Sequence, residues 1–430
     1  MSLRSKALAT LPLALALFAC GSEEPAAAPA AKPAAAPPAP EPQEPAELPN
    51  GLVLSLAQFK TEAGKPVPGA ARLEFLYRSG GDWRTSALED DESNVFHKAM
   101  AYEGDDGLRM LSAGGTEAIL KLWSLEDSAL EGETIWQKDF GGKFSRMRDV
   151  EVGDLYGDGE VSIAVATHDQ GVVAVLRPGP DGFSVAELDA EAETFVHEIE
   201  IGDLDADGKL EVYATPSEPN RLDGGAVQTG EVVRYVPATG EKRSVVARLP
   251  ERHAKEILVA DVDGDGTDEL YVSFEGHVGE AKELVHPVEI RRYDADTPAD
   301  AGFPVATLED RLSRFLTAGD VDGDGKLELV AATYSAGLWL LRPGEDPRSE
   351  WKAELIDKKS GGFEHASILA DLDGDGIDEL YVASDRHKEV RRYVWVDGKA
   401  QRTVIYKRPD DRPIFTWNLM PIPRDLIPGA

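Results

Sequence analysis

Cysteine is nearly absent. The 430-residue chain has only Cys20, so no disulfide can form within it, and residues 51–430 hold no cysteine at all. Cohesion there has to come from packing and hydrogen bonds, with metal as a further candidate. Basic residues are also scarce: 45 Lys+Arg stand against 79 Asp+Glu, a formal net charge of -34. A surface this anionic repels phosphates and excludes general nucleic-acid binding. No segment from residue 51 onward carries a sustained helical period. Four enzyme signatures are missing as well: the G-x-S-x-G elbow, the H-E-x-x-H zinc helix, the P-loop and the dinucleotide glycine fingerprint.

The N-terminus accounts for the cysteine. Arg4 and Lys6 precede an apolar run from Ala7 to Ala19, which reads as a secretory signal and is short for a membrane span. Its end, Leu17-Phe18-Ala19-Cys20, resembles a bacterial lipobox. That resemblance implies a signal peptide over 1–19, acylation of Cys20 and contact with the membrane only through that lipid. Gly21 and Ser22 stand where an aspartate would retain a lipoprotein in the inner membrane, so outer-membrane anchoring in a bacterial envelope is expected. Ordinary cleavage beside an unmodified Cys20 is the alternative. Residues 20–50 then form a tether. Of the 30 residues from 21 to 50, 10 are Ala and 9 are Pro, which prevents continuous helix and favours extended polyproline geometry. At ~3.1 Å per residue it reaches on the order of 90 Å at most.

What fills residues 51–430 is a repeat. DLDADGKLEV begins at Asp203, DVDGDGTDEL at Asp261, DVDGDGKLEL at Asp320 and DLDGDGIDEL at Asp371. A weaker copy, DLYGDGEVSI, begins at Asp154, and a remnant at Tyr102 reads YEGDDGLRML. A unit recurring at this spacing is one supersecondary structure repeated. An apolar strand precedes each motif, as in EILVA (256–260), and another follows, as in LYVSF (270–274). Two more strands follow in most units, broken by turn residues as in EVRRYVWVDGKAQRTVIYK (389–407). Four short antiparallel strands per unit make a propeller blade, and closing the blades into a ring protects their edges.

These repeats resemble FG-GAP or VCBS repeats, the units of integrin-α-type β-propellers, from about Phe96 to the C-terminus. The resemblance implies an all-β fold of four-stranded antiparallel blades with calcium-binding DxDxDG loops. The spacing predicts seven blades over 51–430, with six or eight as alternatives. Six motif positions are visible, so the seventh blade is assembled from both ends of the chain. IFTWNLMPI (414–422) supplies its inner strand, and GLVLSLAQ, ARLEFLYRSG and WRTSALED supply the others.

The loops gather hard oxygen ligands, which suits Ca²⁺ at about four structural sites. The predicted sets are Asp203, Asp205, Asp207, Glu211; Asp261, Asp263, Asp265, Glu269; Asp320, Asp322, Asp324, Glu328; and Asp371, Asp373, Asp375, Glu379, each with one backbone carbonyl. An EF-hand is excluded, because its position 12 is Ala214, Val272, Ala331 or Val382 here. At Asp154 the third and ninth positions are Tyr156 and Ser162, so binding there is weak or absent.

The opposite rim is the place to look for function. Six residues before each motif stand Arg148, His197, Lys255, Arg314 and His365. Phe96 or His97 and Trp417 or Asn418 continue the column, and second-strand ends add His168, Arg221, Arg386 and His387. One reading is a basic funnel for an anionic ligand, pH-sensitive near neutrality through its histidines. The other is a ring of cations paired to neighbouring acids such as Asp149, Glu198 and Glu256 as architecture. The functional classes that follow are a binding or adhesion module for a glycan or protein, and a polysaccharide lyase. A lyase here would act on acidic polysaccharide, with His197 or His365 as base. A scaffold lipoprotein of an envelope complex is the third.

Overall fold

Strands such as IAVAT, LYVSF, LVAAT and LYVAS are apolar almost throughout instead of alternating, which requires cover on both faces. The computed structural model supplies that cover. It describes residues 45–115, 117–141, 145–218, 228–279, 281–409 and 414–430. The signal segment, Cys20, the tether up to residue 44 and Arg221 lie outside these. Among the described residues, no helix is long and apolar enough to cross a membrane.

Seven four-stranded antiparallel blades follow one another. Blade II comprises Phe96–Gly104, Gly107–Gly114, Ala118–Glu126 and Ala129–Lys138. The inner strands of blades III to VII are Met147–Gly153, Phe195–Gly202, Ala254–Ala260, Ser313–Gly319 and Ser367–Ala370. Their second strands are Ser162–Thr167, Glu211–Ser217, Glu269–Phe274, Glu328–Thr333 and Glu379–Ser384. In blades III, V, VI and VII every residue of the second strand is buried.

The reason is the packing of blade on blade. Successive side chains on a strand point to opposite faces. Val165 therefore joins Leu111 and Leu120 of blade II, while Ala164 and Ala166 join Val212 and Ala214 of blade IV. The same division holds around the ring, where each apolar cluster spans one interface between adjacent blades. Neighbouring inner strands touch in sequence, and the last meets the first. Gly202 ends its inner strand where a Cβ would collide with the Val259 side chain of blade V.

Blade I closes the circle from both chain ends. Ile414–Pro423 is its inner strand and pairs with Asn50–Glu62, from Asn50↔Pro423 to Gln58↔Ile414. Ala71–Ser79 and Asp82–Asp90 complete it. Arg424 donates to the carbonyl of Arg78 at 2.8 Å, and the Tyr77 hydroxyl donates to that of Gly429 at 2.9 Å. The propeller already includes residues just before Asn50: Leu48 is buried in the cluster between blades VII and I. The remnant motif at Tyr102 has shrunk to a tight turn between the first two strands of blade II.

Because Ile422 is fully buried at the interface of blades I and II, Ile422→Ala is expected to lower stability by about 2–5 kcal/mol. Val404→Ala, on an outer strand and 43% exposed, is expected to change it by less than about 0.5 kcal/mol. Denaturant titration of both variants checks this.

Candidate functional site

The inner strands run from one face of the ring to the other, so the acidic loops and the predicted rim lie at opposite ends. A seven-residue strand separates them by about 20 Å.

At the loop end, the first aspartate of each motif folds its own turn. Asp261 accepts the backbone N–H groups of Asp265 and Gly266 at 3.0 and 2.9 Å, with Gly266 at φ 91. Asp203, Asp320 and Asp371 do the same in their loops. Asp154 also does so, although Tyr156 and Ser162 leave its loop outside the acidic clusters. Asp261, Asp263, Asp265 and Glu269 each present an oxygen, and these atoms lie within 4.8 Å of one another. Oxygens around a Ca²⁺ ion at about 2.3–2.6 Å lie no farther apart than about 5 Å, so this set fits. The other loops bring together three carboxylates each: Asp203, Asp205 and Glu211; Asp320, Asp322 and Glu328; Asp371, Asp373 and Asp375. Asp207, Asp324 and Glu379 fall outside these groups, and Asp207 pairs with Lys209.

The structure adds a partner that sequence reasoning missed. Arg292, from the third strand, spans Asp263 at 2.7 Å and Glu269 at 3.2 Å. Arg234 bridges Asp205 and Glu211 in the same way, and Arg342 bridges Asp322 and Glu328. Arg392 pairs with Glu379. The Glu269 carboxylate also accepts from Val262 N–H and the Tyr271 hydroxyl. The ninth-position glutamate is therefore a buried brace as much as a candidate ligand. The signal was present as a recurrent arginine in the third strands, in EVVRYV, EIRRY, LWLLR and EVRRYV.

At the other end, all seven blades contribute to one cavity of about 260 Å³. Trp417, His97, Arg148, His197, Lys255, Arg314 and Glu364 come from blades I to VII in turn, with His168 and Arg146 beside them. Phe195 and Phe363 add aromatic walls. The Arg146 side chain forms a bidentate pair with Asp169 at 2.7 and 2.8 Å. Lys255 meets Glu256 at 3.0 Å, and Arg314 meets Glu364 at 2.6 Å. Arg148 instead donates from Nε to the neutral carbonyl of His197 at 2.7 Å; among the described residues it has no carboxylate partner.

Three rim predictions fall elsewhere. His365 is fully buried outside the cavity, bonded to Ser360 Oγ at 2.7 Å and to the Thr333 carbonyl at 2.8 Å. Its φ of 57 lies just ahead of the short strand Ser367–Ala370, so the column slips and Glu364 takes its place. Arg386 is exposed, and His387 is bonded to Ser384 at 2.9 Å; neither lines the cavity. Arg146, Phe195, Phe363 and Glu364 were missed because they sit off the six-residue register.

The expected pH response near neutrality is also corrected. Burial pushes the rings of His97 and His197 well below the usual imidazole range, and the neighbouring Arg148 and Lys255, respectively, push the same way. Burial takes His168 to about 4 and His253 to about 3. His168, His197 and His253 stack edge to face at 5.2 and 4.9 Å, a packing of neutral rings. A histidine with a lowered folded pKa contributes stability above its unfolded value near 6.5, and loses it as pH falls toward 4. Ring-proton NMR is expected to show the cavity histidines neutral from pH 8 to about 5. A midpoint near 6.5 for His97, His168 or His197 would overturn this.

An FG-GAP-like repeat profile matches residues 320–382, the stretch running from the loop of blade VI through the second strand of blade VII. No curated protein sequence matches the chain. Among solved structures it is similar to a candidate 6-phosphogluconolactonase from Bacteroides fragilis, at 14% identity and a TM-score of 0.53, over 89% of this chain and 100% of that one. A Lactobacillus plantarum protein aligns at 12% identity and 0.55, over 87% and 99%. A second candidate lactonase, from Bacteroides uniformis, aligns at 12% and 0.52, over 88% and 100%. Identities this low speak to the fold alone. The matched repeat and the closed ring of blades fit together: the chain is a seven-bladed β-propeller, and its stretch 320–382 is similar to an FG-GAP-like repeat.

Proposed function

We propose that the protein is an envelope-anchored, calcium-stabilised binding module that takes an anionic group of a glycan or protein partner into its axial cavity. The observation that carries the reading is Arg148. It lines a cavity to which every blade contributes, with no carboxylate of its own among the described residues. The rest of the protein is strongly acidic, so a site of this sign attracts anions only where the geometry focuses them. Lipidation of Cys20 and the Ala/Pro-rich segment would place the head away from a membrane surface, in reach of such partners. Binding is favoured over lyase chemistry by the histidines. His365 is outside the cavity, and His197 is buried among cations that oppose its protonation, which makes it a weak base.

Incubating the purified protein with acidic and neutral polysaccharides, while following retention and unsaturated sugar ends, tests this reading. Retention on acidic chains without product is expected, and it is expected to be lost when Arg148, Lys255 and Arg314 are changed to Ala. Product formation would replace the binding reading with a lyase.

Calcium has its own test. An ion held by Asp261, Asp263 and Asp265, with Glu269 completing the shell, would stabilise the fold by about 2.7 kcal/mol at a hundredfold excess over Kd. Excess chelator is therefore expected to lower the melting temperature by several degrees. An unchanged melt would leave the third-strand arginines as the cations that neutralise these loops.

A further inference from the structure

The cavity's hydrogen-bonding inventory narrows the ligand further. We infer that the group it takes is a single sugar-acid ring carrying one carboxylate, a hexuronate or close analogue. This rests on the axial cavity being the ligand site.

Charge is the first constraint. Of the four cations lining the cavity, Arg146, Lys255 and Arg314 each have a carboxylate within hydrogen-bonding distance, and Arg148 has none among the described residues. One negative charge is therefore matched and a second is not.

The second constraint comes from buried nitrogens. His97 is 5% exposed and His197 is 4% exposed, and both line the cavity. Both ring nitrogens of His97, and Nε2 of His197, have no hydrogen-bond partner among the described residues. Trp417 Nε1 and Arg314 Nε are in the same state. A neutral imidazole donates at one nitrogen and accepts at the other. Hydroxyl groups answer both needs, because each one donates and accepts. The oxygens of sulfate or of a fully ionised phosphate ester only accept, and would leave the accepting nitrogen unmatched and buried, at a cost of about 1–3 kcal/mol. An aspartate or glutamate side chain of a partner protein brings a carboxylate without hydroxyls.

Shape agrees with a ring. Trp417, Phe195 and Phe363 offer apolar faces to the C–H surface of a pyranose, between the polar groups. The volume of about 260 Å³ falls below the roughly 300–1,000 Å³ of sites for drug-sized ligands, which suits one residue rather than an oligosaccharide.

The test is calorimetric titration of the full-length protein at pH 7 with five probes. These are glucuronate, galacturonate, glucose, glucose 6-phosphate and cyclohexanecarboxylate, the last a ring-sized monoanion without hydroxyls. One of the two uronates is expected to bind with a Kd of about 1 mM or tighter, and about tenfold better than each of the other three. Arg148→Gln and His97→Phe are each expected to weaken it by about tenfold or more. Arg148→Lys is expected to retain part of the affinity, and covers the case in which the glutamine variant does not fold. Tighter binding of glucose 6-phosphate would overturn the sugar-carboxylate inference and leave the anion-binding function standing. Cyclohexanecarboxylate matching the uronates would do the same and point to a protein carboxylate. Retention on acidic polysaccharide that glucuronate does not displace, with no probe binding, would overturn the inference alone. No probe binding and no retention would remove the proposed function as well.

Discussion

Burial of every blade on both of its faces is the constraint on which the rest of this molecule depends. No blade has a private core. Each apolar cluster is half one blade and half the next, so a blade without its neighbours exposes a sheet of apolar side chains. The ring must therefore close, and it closes through backbone pairing of Ile414–Pro423 with Asn50–Glu62. With no cysteine in residues 51–430, that ladder does the work a disulfide would otherwise do. Carboxylates reinforce the contacts between blades: Asp149 accepts the N–H of Ile199, Asp268 that of Asp203 and Asp378 that of Asp320, at 2.8–3.0 Å.

Closure also creates the site. When seven inner strands stand around one axis, residues at matching positions are brought to a common centre although about fifty positions separate them in the chain. Charges gathered this way are pulled out of water, and the surroundings sort them. Lys255 and Arg314 find carboxylates; Lys98, deeper along the axis, pairs with Asp149 and Glu151; the histidines lose their protons. What emerges is a small polar chamber in which Arg148 has no carboxylate partner among the described residues, inside a protein whose exterior repels anions.

The two ends of the ring handle dense charge differently. At the loop end the aspartates are partly solvated, their turns are folded by their own carboxylates, and third-strand arginines already supply positive charge. The degenerate copy at Asp154 adopts the same backbone hydrogen bonds with Tyr156 and Ser162 in place of acids, and Arg177 packs over the Tyr156 ring at 4.8 Å. The turn is thus a property of the first aspartate and the glycine, and the clustering of carboxylates is an added layer set by the third, fifth and ninth positions.

Sequence alone determined the elements that depend on local pattern. The period of the acidic motif, the strands on either side of it, the glycine at the bend and even the assembly of blade I from IFTWNLMPI and GLVLSLAQ are legible, because strand and turn preferences act over a few residues. Counting six residues back from each motif also found Arg148, His197, Lys255 and Arg314, since repeats of equal geometry keep equal register. Tertiary structure decided what that counting could not. A left-handed residue at His365 shifts one blade's register and sends Glu364 to the axis in its place. Burial sets the protonation of His97 and His197, and the path of the third strand carries Arg292 back onto a loop twenty-nine residues upstream. Each of these depends on which groups meet across blades and how much water remains between them, and a linear pattern does not encode that distance.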